Sequence, residues 1–366
     1  MSRYLFFILL FLLFFALHFL FYSRVIQTLL VSENMKRSLT ALFIFNFFLN
    51  ILYVIGTYWD IIPKRFYYIS SLSLGITLVL FFYLFMHEIL KLFYTTLKQV
   101  DLSKRAFIKN SADGVMLGVA TSYVTVAAYE GSKEPIVNVV HLGKFDFSIV
   151  QISDLHIGGL VDKAFLKASV ERINALNPDI VCLTGDIIDS TLESIKEIIL
   201  ELNQIHARYG IYYILGNHEY FHNPEEIIAF IRQTKITLLL NDHIQIDALK
   251  VNIVGITDYI GYRINRFEPD VHRAFYGCNA NYRTIFLAHQ PKCIDILGPY
   301  SPELILSGHT HGGQIWPFGY LVRLQQPYLK GLHKLPNGNH IYVNSGTGFW
   351  GPPMRLGSQA EISYIV

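Results

Sequence analysis

The chain has 366 residues, a formal net charge of +2, 52% hydrophobic residues and only 16% charged ones. So small a net charge leaves no electrostatic footprint for a nucleic-acid partner. The three cysteines, Cys182, Cys278 and Cys293, lack C-x-x-C spacing, which excludes a disulfide framework and a zinc knuckle.

The length admits two domains, and composition separates them. Residues 4–22, 39–59 and 69–86 are nearly unbroken apolar runs. Each is about 20 residues, enough to cross about 30 Å of hydrocarbon as a helix. A cleaved signal peptide would account for the first run alone. Asn46 and Asn50 stand four apart in the second run, so they share a helix face and are expected to hydrogen-bond to a neighbouring helix. His87-Glu88 closes the third run and reads as an interface marker.

A fourth segment, residues 114–128, is mildly apolar and rich in Gly, Ala, Thr and Val. Before it stands Ser103-Lys104-Arg105-Ala106-Phe107-Ile108-Lys109, which resembles a twin-arginine export signal with Lys104 at the first arginine position. The other reading is a row of interfacial cations before a fourth span. With four spans, the positive-inside rule places Arg24, Lys36, Arg37, Lys91, Lys98, Lys104, Arg105 and Lys109 in the cytoplasm, against Arg3, Lys64 and Arg65 outside. The expectation is an all-α transmembrane bundle over residues 1–129, multi-pass in the inner (cytoplasmic) membrane, with the C-terminal domain periplasmic. If the fourth segment does not span, that domain is cytoplasmic.

Residues 130–144, with Pro135, read as a linker to a domain over residues 145–366. Residues 145–153 alternate as a strand ending at Asp154. Residues 162–176 have helical spacing, with Phe165, Leu166, Val170 and Ile173 on one face and a stop at Asn177-Pro178. Residues 179–184 form a short buried strand ending at Gly185-Asp186, and 192–208 a helix with Ile195, Ile198, Ile199, Leu202 and Ile205 inward. Residues 211–215 make the next strand, ending at Gly216-Asn217-His218. This βαβαβ order marks a layered α/β core. Further strands are expected at 237–240, 251–256, 284–288, 303–306, 340–343 and 361–366.

Asp154, Asp186, Asn217, His289 and His309 each follow a strand. Strand ends of such sheets converge on one crevice, so residues remote in the chain are expected to meet there. Carboxylate, imidazole and amide oxygen together suit divalent transition metals. A two-metal centre stabilises both the attacking and the leaving oxygen of a displacement at phosphorus, which points to phosphoester hydrolysis.

With Asp154-x-His156, Gly185-Asp186-x-x-Asp189, Gly216-Asn217-His218-Glu219, His289 and Gly308-His309-Thr310-His311, the chain resembles the calcineurin-like metallophosphoesterases over residues 145–366. The segments Gly312-Gly313-Gln314 and Gly346-Thr347-Gly348-x-Trp350-Gly351-Pro352-Pro353-Met354-Arg355-Leu356 resemble a membrane-tethered bacterial branch, similar to a UDP-diacylglucosamine pyrophosphatase and to exported phosphodiesterases. The resemblance implies a four-layer α/β/β/α sandwich and a dinuclear site of Mn, Fe or Zn. It implies that Asp154, His156 and His311 hold one metal, that Asn217, His289 and His309 hold the other, and that Asp186 bridges them. It places His218 near the scissile phosphate, where an imidazolium donates a proton to a phosphate oxygen or to the leaving group. Asp189 either orients His218 or caps the helix starting near Thr191. Glu219 either supports the site from behind or is exposed, and Asp258 contacts it indirectly.

The function expected is a membrane-anchored phosphohydrolase acting on a phosphodiester or pyrophosphate of a lipid or other envelope component. The alternative is a membrane sensor or transporter-like protein whose phosphoesterase fold is an appendage of little turnover. Residues 315–336 are aromatic and basic, reading either as a loop packed over the second sheet or as a rim lying on the bilayer. His206, His222, His243, His272, His333 and His340 are expected in surface or packing roles.

Overall fold

The computed structural model describes residues 3–29, 31–59, 62–96 and 102–366. Contacts divide the chain into two compact units: Met1–Tyr129 with Gly351–Met354, and Glu130–Trp350 with Arg355–Val366.

The first unit is helical, with α1 (Arg3–Arg24), α2 (Glu33–Trp59), α3 (Lys64–Thr96) and α4 (Leu102–Gly131). Three stretches, Phe7–Thr28, Glu33–Thr57 and Lys64–Leu92, are long and apolar enough to cross a membrane. The fourth helix is 30 residues long and is not one of the membrane-capable stretches among the described residues. Lys98 lies outside the described residues, as do the side chains of Arg3 and Arg105.

In the apolar bundle, polar side chains find partners on neighbouring helices. Asn46 Nδ2 donates to Thr77 Oγ1 at 2.7 Å and Asn50 Nδ2 to the same oxygen at 2.6 Å, while Ser73 Oγ donates to Asn46 Oδ1 at 2.8 Å. His18 Nε2 lies 3.1 Å from Asn46 Nδ2. The two asparagines thus tie α2 to α3, as their spacing predicts. A buried amide without a partner would cost several kcal/mol in hydrocarbon. His87 is buried, facing Asp113 of α4 at 3.7 Å. Lys109 donates to both Asp113 (2.8 Å) and the Thr28 carbonyl (2.9 Å). The C-terminal residues Gly351–Met354 also pack in this unit. Ser71 Oγ donates to the Gly351 carbonyl at 2.6 Å, and Met354 and Pro352 cover the bare Cα of Gly75.

The second unit is α/β. Its elements in order are β1 (Ile136–Val140), β2 (Ile149–Ile152), α5 (Lys163–Ala175), β3 (Ile180–Leu183), α6 (Leu192–Ile199), β4 (Ile211–Tyr213), α7 (Pro224–Ile231), β5 (Thr237–Leu238), β6 (Asp242–Ile246), β7 (Val251–Gly255), α8 (Ile260–Ile264), α9 (Val271–Phe275), β8 (Arg283–Leu287), β9 (Leu304–Ser307), α10 (Gly319–Val322), β10 (Gly331–Lys334), β11 (His340–Val343) and β12 (Glu361–Ile365). Two six-stranded sheets result, ordered β1-β12-β2-β3-β4-β5 and β10-β11-β9-β8-β7-β6. Both are mixed: β2, β3, β4 and β5 pair in parallel, as do β7, β8, β9 and β11, while β12–β2, β6–β7 and β10–β11 are antiparallel.

The sheets face each other across Ile149, Ile180, Ile214, Ile253, Ile285 and Leu304. Outside the first sheet, Leu166, Val170 and Ile173 of α5 join Ile195 and Ile199 of α6 and Ile227 and Ile231 of α7 in a second core. Outside the second sheet, Val271 and Ala274 of α9 pack with Val254, Phe286 and Ile305. Each fully buried Ile, Leu or Val stabilises this arrangement by about 1.5–3 kcal/mol relative to exposure. The four layers are the sandwich expected from the sequence.

Three details differ from expectation. Residues 130–144 are not simply a linker: after Pro135, Ile136–Val140 form β1, which pairs in parallel with β12. Helix α6 ends at Ile199 and continues as a 3-10 turn over Leu200–Gln204. That tightening still buries Leu202 and Ile205 before Arg208 and Tyr209 donate to the carbonyls of Pro178 and Asp179. Strands β6 and β10 are additional. They are sheet edges with partly exposed, polar sequences (DHIQI and GLHK), so they carry no apolar signal.

Candidate metal centre

Parallel strands β2, β3 and β4 end together, and so do β8 and β9. Just past those ends the backbone turns sharply. Asp154 (φ 53°), His156 (51°), Asp186 (52°), His309 (69°) and His311 (50°) all adopt left-handed conformations. Such conformations are uncommon for non-glycine residues and cost free energy that the surrounding packing must offset. They aim short side chains back into one crevice.

Glycines make that approach possible. At Gly185 (φ 90°) a Cβ would lie 2.6 Å from His289 Nδ1 and 2.7 Å from the Gly216 backbone. A Cβ at Gly216 would collide with Asp186 Oδ1, and one at Gly308 with Ser153 Oγ and Asp154 Oδ2. We therefore expect Gly216→Ala to push the Asp186 carboxylate out of place. Metal content by elemental analysis should drop and phosphoesterase turnover should fall by about tenfold or more; unchanged metal content would contradict this packing argument.

Three groups of close donor side chains form among the described residues: Asp154, His156 and His311; Asp186, His289 and His309; and His156, Asp189 and His218. In the first, His156 Nε2 lies 3.0 Å from His311 Nε2, which is 3.4 Å from Asp154 Oδ1. The second contains Asp186, His289 and His309, with Asp186 Oδ2 at 3.1 Å from His289 Nε2. Asp186 Oδ2 also faces His156 Nε2 at 4.0 Å, so one carboxylate addresses both of these clusters. Asn217 Oδ1 is buried and has no hydrogen-bond partner among the described residues.

The chemistry of these donors fits divalent cations. His289 Nδ1 lies 2.8 Å from the Thr184 carbonyl, a contact that fixes the proton there and turns Nε2 toward Asp186. Burial and the neighbouring His289 keep His309 neutral, its pKa falling to about 3. Burial and His156 hold His311 well below the usual imidazole range. Neutral imidazole is the ligand form. Burial pushes the Asp154 carboxyl up, so its ionised form calls for a cation nearby. Two ring nitrogens at 3.0 Å repel through their lone pairs unless a proton or a cation lies between them.

His218 stands beside the first two groups and belongs to the third. Its backbone N–H donates to Asp186 Oδ1 at 2.8 Å, and its Nε2 lies 3.9 Å from Asp186 Oδ2. Its Nδ1 is 2.7 Å from Asp189 Oδ1. Burial lowers its proton affinity, but Asp186 and Asp189 outweigh that and raise the pKa to about 9. Of the two readings open for Asp189, the geometry favours the first: Thr191 is the N-cap of α6, while Asp189 faces His218, His156 (3.3 Å) and His222 (3.7 Å). His222, read from sequence as a surface or packing residue, thus stands beside Asp189.

Glu219 is fully buried, not exposed. It accepts from the backbone N–H groups of Asp186 (3.1 Å), Ile187 (2.7 Å), Ile188 (3.0 Å) and Gly216 (2.8 Å), and from the Tyr213 hydroxyl (2.7 Å). It therefore joins the β3 and β4 loops that carry Asp186 and Asn217. Arg355 is buried too, donating to the carbonyls of Ser345, Gly346 and Gly348. The Gly348 N–H in turn donates to the Asp154 carbonyl at 3.0 Å. A lone arginine in a Gly- and Pro-rich segment carries no sequence signal for that role. Asp258 accepts twice from Gln290, next to His289, at 2.8 and 2.9 Å.

Comparison with known proteins identifies the family. Residues 147–313 match the model of the calcineurin-like phosphoesterase family. An uncharacterized metallophosphoesterase of Helicobacter pylori is 35% identical over 318 residues, covering 84% of each chain. A zebrafish "transmembrane protein with metallophosphoesterase domain" is 30% identical, covering 81% of this chain and 72% of its own. The crystal structure of a dimetal phosphatase from Danio rerio overlaps with a TM-score of 0.40 at 12% identity, covering 56% of this chain and 88% of that one. With this identity to relatives spread across its length, and with the motif residues gathered in one crevice, the chain belongs to the calcineurin-like metallophosphoesterases.

Proposed function

We propose that the protein is a membrane-anchored, dinuclear-metal phosphohydrolase that cleaves a phosphodiester or pyrophosphate bond of a lipid or other envelope component. The observation that carries this reading is the buried Asp186 carboxylate, which faces His156 of the first group and His289 of the second from one oxygen. In the proposed assignment Asp154, His156 and His311 hold one metal, Asn217, His289 and His309 the other, and Asp186 is shared. Bound divalent metals supply Lewis acidity and lower the pKa of a water toward neutrality; Mn, Fe and Zn all suit this donor set.

The chain's own residues do the rest. Asp189 accepts the Nδ1–H of His218 and so presents Nε2–H to the crevice. That proton is placed to stabilise a phosphate oxygen or to pass to the leaving oxygen as its bond to phosphorus breaks. Glu219 and Arg355 keep the loops from relaxing away from the reacting geometry.

The test is turnover of bis-p-nitrophenyl phosphate by the full-length protein with added Mn, Fe or Zn, abolished by a chelator. No turnover with any metal would sink the enzyme reading. His218→Ala should keep the metal content and lower turnover by about 10²-fold or more. Loss of metal instead would mean that His218 is a ligand.

The three apolar helices support a multi-pass placement in the cytoplasmic membrane. With α4 as a fourth span, the charge asymmetry of the joints supports an extracytoplasmic catalytic unit; with three spans the same asymmetry supports a cytoplasmic one. A reporter fused after Val366 that is active only in the cytoplasm would refute the extracytoplasmic orientation.

A further inference from the structure

The crevice has an apolar edge that phosphate hydrolysis does not need. The His218 ring is flanked by Phe221 at 5.1 Å and Trp350 at 6.0 Å between ring centroids. Both flanking rings face outward, 59% and 51% exposed. Trp350 is fastened by a reciprocal pair of hydrogen bonds to the Gln314 side chain, at 2.9 and 3.0 Å. Gln314 lies three residues beyond His311, and the chain runs on from it into Trp316, Tyr320, Leu321 and Leu324. All four are exposed, Leu324 by 80%.

Charge follows the same pattern. Residues 304–360 contain Arg323, Lys330, Lys334 and Arg355 and no acidic residue. Arg355 is buried in the loops behind Asp154, while the other three are exposed.

An exposed apolar patch beside a polar crevice marks an interaction surface. Trp and Tyr favour the headgroup level of a bilayer. A cationic surface without acids is attracted to anionic lipid. The chain carries its own membrane-capable helices.

Resting on the proposed phosphohydrolase reading, we propose that this aromatic rim inserts into the headgroup region of the bilayer, so that the enzyme takes a phosphate-bearing lipid from the membrane plane past Phe221 and Trp350. The apolar part of such a substrate stays in lipid while its phosphate reaches His218. A water-soluble phosphate ester gains nothing from the rim.

Two measurements on the full-length protein decide this. The chain has three tryptophans, so Trp59→Phe leaves Trp316 and Trp350 as the emitters. In phosphatidylcholine–phosphatidylglycerol nanodiscs with a spin label near the headgroup, about half of their emission should be quenched relative to unlabelled discs. Unquenched emission overturns the proposal and assigns the surface to a protein partner or a second copy. The second measurement uses Leu321→Asp with Leu324→Asp, which lie outside the candidate ligand set. Turnover of a diacylglycerophospho-p-nitrophenyl ester in the discs should fall at least about tenfold, while turnover of bis-p-nitrophenyl phosphate stays within about twofold. Equal losses on both substrates, or a loss on neither, overturn the proposal. Failure of the unsubstituted protein to hydrolyse either ester rejects the hydrolase reading, and the quenching then decides the rim independently.

Discussion

Asp186→Asn is expected to reduce bound metal from about two ions per chain to one or fewer and to cut turnover of bis-p-nitrophenyl phosphate at least about 10³-fold, about 4 kcal/mol of transition-state stabilisation. The substitution keeps the shape and one carbonyl-type oxygen, so the His218 backbone donor at 2.8 Å retains its acceptor. What it removes is the negative charge between the imidazole clusters. Two nearby cations repel strongly unless an anion is shared between them, and Asp186 Oδ2 faces His156 of one cluster at 4.0 Å and His289 of the other at 3.1 Å. Its 2% exposure means that solvent does little to replace the lost charge. Elemental analysis and steady-state kinetics check both halves of the expectation. Near-normal metal content with near-normal turnover would show that Asp186 is not shared, and the dinuclear reading would fail.

Glu219→Ala should destabilise the α/β unit by about 4 kcal/mol and lower its unfolding temperature by about 10 °C. The carboxylate accepts four backbone N–H groups and one hydroxyl. Alanine leaves these donors buried without an acceptor, at about 1–3 kcal/mol each before relaxation and entering water reduce the sum. Glu219→Gln should be milder, because one oxygen remains while the new NH₂ faces donors. Near-UV circular dichroism of the full-length protein during heating reads the transition. A Glu219→Ala midpoint within about 1 °C of the unsubstituted chain would contradict the support role.

The candidate ligands were legible because each follows a short apolar strand. A parallel sheet aligns its strand ends, so strand-then-Asp or strand-then-His is a statement about place as well as chemistry. Asp154, Asp186, Asn217, His289 and His309 were found in this way. Helix α5 was equally visible, through its one apolar face and the stop at Asn177-Pro178. Strand β1 was passed over although Ile136, Val137, Val139 and Val140 carry a β-branched signal, because the polar residues before and after it set the reading of the whole joint. Glu219 was ambiguous, since Glu beside a His-rich motif reads as readily exposed as buried. The approach of the β3 loop, 31 to 33 residues away in the chain, supplies three of its five donors. Arg355 was silent for the same reason: its partners are carbonyls, and carbonyls leave no trace in residue type.

What the amino-acid order determined by itself is the division into apolar helices and a layered α/β unit, and the five candidate ligands that follow its strands. Those follow from hydrophobic period and residue chemistry, which are local. Tertiary structure alone decided that Asp189 turns to His218 instead of capping α6, that Glu219 and Arg355 brace the loops, and that Phe221 and Trp350 border the crevice. Each of these depends on which distant backbone arrives alongside, and the left-handed turns that bring it there are stable only once both sheets have packed.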